Sequence, residues 1–180
     1  MRKTTNIFIL LLLSILSLTV TSCMDNNDDS VWQQYKDWRE YNQSWLTEQL
    51  VRTNPDGTAY YTRCVMPTDP MAVVYMHPIE TAGSGLKPLY TSTTKVNYTL
   101  TLANDSVLDQ GTNFVTQLSS TSLITGWGLS IMQMEVGDSA QFVLPYNVGY
   151  GATGSVNLPP YSNLMFNIRL VDITGYEIRP

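Results

Sequence analysis

The chain has 180 residues, enough for one ordinary domain with a modest extension. Ten Lys and Arg against fifteen Asp and Glu give a net charge of −5, which excludes a nucleic-acid binder working by cationic displacement of counterions. Charged residues are 14% and apolar ones 43%, which excludes a disordered chain, and two cysteines are too few for a disulfide scaffold.

Met1-Arg2-Lys3 precedes an uncharged apolar run at residues 7–20. The run is shorter than the ~20 residues a membrane-spanning helix needs and reads as the core of a secretory signal. It ends in Val20-Thr21-Ser22-Cys23. That ending resembles a bacterial lipoprotein signal over residues 1–22, which implies fatty acylation (palmitate) at Cys23 and a lipid-anchored protein of the cell envelope. Outer membrane is the expected site, on its periplasmic or surface-exposed face. Removing residues 1–22 takes away Arg2 and Lys3 and no acid, so the net charge becomes −7. Residues 23–30 then read as a polar, acidic tether. Cys64 is left as the one unmodified thiol and reads as a buried, inert cysteine.

Residues 31–50 contain no Gly or Pro, and Trp32, Tyr35, Trp38, Trp45, Leu46 and Gln49 recur at three- and four-residue steps. This predicts an amphipathic helix, with Asp28, Asp29 and Ser30 as N-cap residues. Its aromatic face has two readings. It packs on the domain or on a second copy, forming a homodimer, or it binds a glycan or partner. Asn54-Pro55-Asp56-Gly57 predicts a turn, and residues 59–66 and 71–77 predict two strands broken by Pro67-Thr68-Asp69-Pro70. His77, the single histidine, has no nucleophile motif beside it and reads as a strand-end residue.

Beyond this extension, residues 31–86, the apolar pattern has period two. Val96, Tyr98, Leu100 and Leu102 alternate with polar neighbours, as do Ala140, Phe142 and Leu144, and Leu164, Phe166, Ile168 and Leu170. Half-buried antiparallel strands give this alternation. Residues 126–134 supply one or two helical turns. The pattern therefore predicts an α+β domain with an antiparallel sheet around a short helix, and no chemistry.

Six short motifs are more specific. Val96-Asn97-Tyr98-Thr99-Leu100, Leu108-Asp109, Leu123-Ile124-Thr125-Gly126-Trp127, Met134-Glu135-Val136-Gly137-Asp138, Tyr150-Gly151-Ala152-Thr153-Gly154 and Leu158-Pro159-Pro160-Tyr161-Ser162-Asn163-Leu164-Met165-Phe166 follow one another in register. Together they resemble the FKBP-type peptidyl-prolyl cis–trans isomerases, over a domain of residues 87–175. The resemblance implies a sheet wrapped around a short helix and one pocket, with no cofactor and no metal. In that pocket Trp127 is the floor, and Tyr98, Phe114, Leu123, Ile124 and Phe166 are walls. The Ile124 N–H and the Tyr150 hydroxyl hold carbonyls, and Asp109 lies near the rotating bond. Tyr98, Asp109, Ile124, Trp127, Tyr150 and Phe166 form the implied catalytic set, and Leu108, Phe114, Leu123 and Leu158 further substrate contacts.

The implied partners are proline-containing polypeptides, and the implied activity is isomerisation that assists folding of envelope or secreted proteins. The departures allow a non-catalytic polypeptide-binding module as an alternative. Leu108 stands where the family has Phe, Leu100 where it commonly has Gly, and Ser155 where many members have His. Residues 110–122 match poorly.

Overall fold

The structure is a computed structural model that describes residues 27–175, with side chains described from residue 31. The expected leader and Cys23 lie outside the described residues. No helix among the described residues is long and apolar enough to cross a membrane.

Helix α1 (Asn27–Gln34) belongs to a compact unit separate from the one that begins at Tyr35. Helix α2 (Lys36–Leu50) opens the second unit. The expected single helix is thus two, with the backbone leaving helical geometry at Tyr35 (φ −103°, ψ 22°). Asp28, Asp29 and Ser30 lie inside α1 instead of capping it, because acidic and hydroxyl residues suit a helix's first turn as well as its cap. Residues 27–30 of the expected tether are accordingly helical.

The turn at residues 54–57 forms as read, with Gly57 at φ 84° and its N–H donating to the Asn54 carbonyl. Strands β1 (Thr62–Met66) and β2 (Asp69–Glu80) make a hairpin. Pro70 falls within β2, which runs on to Glu80, three residues past the expected end. Strands β3 (Thr93–Leu102), β4 (Val107–Gln117), β5 (Ser139–Leu144) and β6 (Leu164–Gly175) complete one sheet, in the order β1-β2-β5-β6-β3-β4. Every neighbouring pair is antiparallel. A boundary at residues 86/87 therefore falls within a single sheet: the extension supplies its first two strands.

Helix α3 (Thr125–Ile131) lies in the hollow of that sheet. Its Leu129 and Ile131 are fully buried against the inward side chains Val74, Val96, Phe142 and Leu164. The strand alternation predicted up to Leu170 is obeyed, with an informative exception in β5. Val143 should face solvent, yet it is fully buried, because Trp45 of α2 covers it together with Tyr61 and Ala103. The Trp38 indole N–H donates to Ser162 Oγ at 2.9 Å, and the Tyr41 hydroxyl to the Ala103 carbonyl at 3.1 Å. Trp45 and Trp38 of α2 pack on their own domain, while Tyr41 remains largely exposed. His77 stacks on Tyr60 with ring centroids 3.6 Å apart, and the Arg52 guanidinium lies over the same Tyr60 ring at 4.0 Å. Cys64 is half-buried where the sequence predicts a buried residue, and the burial it has pushes its thiol above the ordinary pKa, which favours the protonated form.

Candidate functional site

At the β3–β4 edge of the sheet, inward side chains meet the N-terminal end of α3 around a cleft of about 150 Å³. Eight residues named from the sequence line it: Tyr98, Asp109, Phe114, Leu123, Ile124, Trp127, Tyr150 and Phe166. Two more, Leu100 and Ser122, complete the wall.

Register explains how β4 delivers its share. Tyr98 pairs with Gly111 and Leu100 with Asp109, but Val96 pairs with Phe114, so β4 carries one extra residue in that step. A bulge of this kind changes which face a side chain reaches. It brings Phe114 to the same side as Asp109 and Gly111. Asn113 adopts φ 54° there, and its N–H donates to the Asn97 side chain at 2.7 Å.

Gly111 matters through what it lacks. A Cβ at that position would lie 2.5 Å from Tyr98 Cε1, so only glycine leaves room for the ring where it stands. Gly111 is not among the expected site residues, although a glycine inside a strand often marks close approach of a neighbour.

The aromatic rings pack edge to face, as their quadrupoles favour. Tyr98 and Trp127 are 5.0 Å apart at 80°, Trp127 and Phe166 5.4 Å at 67°, and Phe114 and Trp127 6.1 Å at 77°. Trp127 is buried, and its indole N–H has no hydrogen-bond partner among the described residues. One polar contact crosses the cleft mouth. The Tyr98 hydroxyl donates to Asp109 Oδ2 at 2.7 Å, while Asp109 Oδ1 accepts from the Gln110 N–H at 2.8 Å. Burial, then the hydrogen bond to Asp109 and that carboxylate's charge, push the Tyr98 pKa up to about 12. Tyr98 therefore keeps its proton throughout the physiological range.

Two expected contacts lie elsewhere. Leu108 sits at the second irregularity of the β3–β4 ladder, between the pairs Leu100–Asp109 and Thr101–Val107, with no cross-strand partner. Its side chain packs against the core margin and does not line the cleft. Leu158 is buried in the main core, drawn in by reciprocal backbone hydrogen bonds with Ser155 that close a tight turn. A larger hollow of about 540 Å³ opens among Asn97, Thr99, Thr112, Asn167 and Arg169. Three of its polar side chains already hold partners: Asn97 binds Asn113, Asn167 binds Gln141, and Arg169 pairs with Glu80 at 2.8 Å. That is the solvated face of a sheet. The smaller, apolar cleft is the candidate site.

Residues 86–171 match the family model described as FKBP-type peptidyl-prolyl cis–trans isomerase. An isomerase of that type from Aeromonas hydrophila, FkpA, is 34% identical over 101 residues, which cover 54% of this chain and 37% of the relative. The peptidyl-prolyl cis–trans isomerase of Schizosaccharomyces pombe is 36% identical over 83 residues, covering 43% of this chain and 74% of the relative. A crystal structure of a peptidyl-prolyl cis–trans isomerase from Pseudomonas syringae shares the fold, with a TM-score of 0.64 at 22% identity, over 78% of this chain and 96% of that one. The chain spans only about two fifths of the length of the bacterial relatives it matches, 42% and 37% for two of them. The match covers all ten residues that line the cleft, and the chain belongs to the FKBP-type peptidyl-prolyl cis–trans isomerase family.

Proposed function

We propose that this chain is a peptidyl-prolyl cis–trans isomerase acting on proline-containing polypeptides, and that it assists folding of envelope or secreted proteins from a lipid anchor at Cys23. The observation that carries the reading is the convergence of Tyr98, Asp109, Ile124, Trp127, Tyr150 and Phe166 on one apolar cleft. A cavity of ~150 Å³ lined by apolar groups takes a ring the size of benzene, so a proline ring has room over Trp127.

Rotation about an X-Pro bond is slow because resonance gives the C–N bond double-bond character, with a barrier of ~18–20 kcal/mol. Burying the three ring methylenes stabilises the complex by about 0.8 kcal/mol each. That term acts on the planar and the twisted amide alike, so it lowers KM and leaves kcat unchanged. Acceleration comes from what differs between the two. The planar amide is the more polar form and loses more on leaving water, while the twisted amide, its conjugation broken, loses less. The Ile124 N–H and the Tyr150 hydroxyl hold carbonyls on either side of the bond while one end turns. Asp109, held by Tyr98, faces the carbonyl carbon as it loses conjugation. A thousandfold gain requires about 4 kcal/mol of such preference. No bond to carbon is made or broken, so no nucleophile is needed.

A protease-coupled assay on a proline tetrapeptide tests this. Wild type should exceed the uncatalysed rate, and Trp127→Ala or Asp109→Ala should lower kcat/KM by about tenfold or more, a loss of about 1.4 kcal/mol. Equal, background rates for all three would end the enzyme reading. The anchor is tested separately: fatty-acid label should attach to wild type and not to Cys23→Ala.

Leu100 favours a second reading. Its buried side chain lines the cleft where the family commonly has glycine, which suits a groove that holds a polypeptide without turning it over.

A further inference from the structure

We propose that Asn163 is a positioning residue that fastens the Tyr150 side of the cleft to helix α2; its activity test rests on the isomerase reading above. Asn163 lies one residue before β6 and is 2% exposed. Its side chain bridges two elements far apart in sequence. Nδ2 donates to the Asn42 carbonyl at 2.7 Å, and Oδ1 accepts from the Tyr146 N–H at 2.9 Å. The Asn163 backbone N–H donates to Asn42 Oδ1 at 2.8 Å. Asn42, itself 1% exposed, donates from Nδ2 to the Trp38 carbonyl at 3.0 Å.

From Tyr146 the hydrogen bonds run to the cleft. Its carbonyl accepts the N–H groups of Gly149 at 3.0 Å and Gly151 at 2.9 Å, the two neighbours of Tyr150. The Gly151 carbonyl in turn accepts the Tyr161 N–H at 3.0 Å. The backbone on both sides of Tyr150 is thereby tied to Tyr146, Tyr146 to Asn163, and Asn163 to the helix. A carboxamide offers a donor and an acceptor from one planar group, which aspartate or leucine of similar size does not. Asn163→Asp retains the acceptor for Tyr146 but sets a carboxylate oxygen against the Asn42 carbonyl. Because the chain carries its own helix to anchor this turn, the backbone that carries Tyr150 is held from outside the cleft.

The test uses the full chain with Asn163→Asp, and Asn42→Ala as the milder variant should the first not fold. Amide hydrogen exchange at Gly151 should quicken by about tenfold, while Leu102, whose N–H bonds to Ser106 in the β3–β4 turn, stays within about twofold. In the proline-tetrapeptide assay the variant should lower kcat by roughly fivefold and add no further loss to Tyr150→Phe, since residues acting through one group are not additive. Unchanged protection at Gly151, an equal rise at Leu102, or losses that multiply with Tyr150→Phe would each overturn the proposal. Should wild type prove inactive, the isomerase reading fails on that result and hydrogen exchange alone decides whether Asn163 holds the turn.

Discussion

The Tyr98–Asp109 pair shows how burial and one hydrogen bond together set the state of the cleft mouth. With its pKa raised to about 12, Tyr98 stays a donor to Asp109 at any pH a cell reaches. Asp109→Asn removes the charge and weakens the acceptor, so the Tyr98 pKa should fall toward the ordinary value of about 10. Ultraviolet titration of tyrosinate, with Tyr98→Phe as the blank, reads this directly. The linkage follows from the sign. A tyrosine whose folded pKa lies above its unfolded one contributes stability that is complete below pH ~10 and lost as pH climbs toward ~12. Tyr98→Phe should therefore flatten the loss of stability in that alkaline window.

Most of the cleft was legible residue by residue, because rings and a carboxylate in fixed order carry the motif. Gly111 and Leu108 are harder to read, for different reasons. Gly111 leaves the signal of a glycine within a strand, but which ring it makes room for depends on long-range pairing with Tyr98. Leu108 falls at a register irregularity, and a bulge leaves no mark in residue type at the position it reassigns. Gly111→Ala should force the Tyr98 ring aside, destabilise the fold by about 1–3 kcal/mol and reduce kcat/KM; thermal unfolding and the tetrapeptide assay measure the two effects.

Among the elements, α2 changes the most between sequence and structure. Its amphipathic period was readable at once, yet nothing in residues 31–50 says what its aromatic face covers. The answer lies some 120 residues downstream, at Ser162 and Asn163, and across the sheet at Val143. Trp45 is buried there, and the half-buried Trp38 is hydrogen-bonded to Ser162. Trp45→Ala should cost about 3–5 kcal/mol, the range for emptying a large core site. Calorimetric unfolding should show that loss, while the folded fraction keeps its activity near that of wild type.

At the scale of the molecule, the sheet order β1-β2-β5-β6-β3-β4 joins the extension to the isomerase region. The period-two strands predicted the antiparallel sheet, but strand order is a matter of long-range pairing and was not available from local pattern. The consequence is mechanical. The β1–β2 hairpin closes the edge that β5 would otherwise expose, and the cleft opens at the opposite edge, on β3 and β4. The region from Tyr35 onward should consequently unfold in one transition, with tryptophan fluorescence and far-ultraviolet circular dichroism giving coincident denaturant curves.

The central claim is that the cleft turns the X-Pro bond over and does not merely hold it. Two-dimensional exchange NMR on a proline peptide, with the protein present at a small fraction of the peptide concentration, observes this without a coupling protease. The account predicts cis–trans exchange cross-peaks with wild type, on a timescale far shorter than the roughly 10–100 s of the free peptide, and their loss with Trp127→Ala. Saturable shifts of the peptide signals with no exchange cross-peaks would contradict it and leave a binding groove.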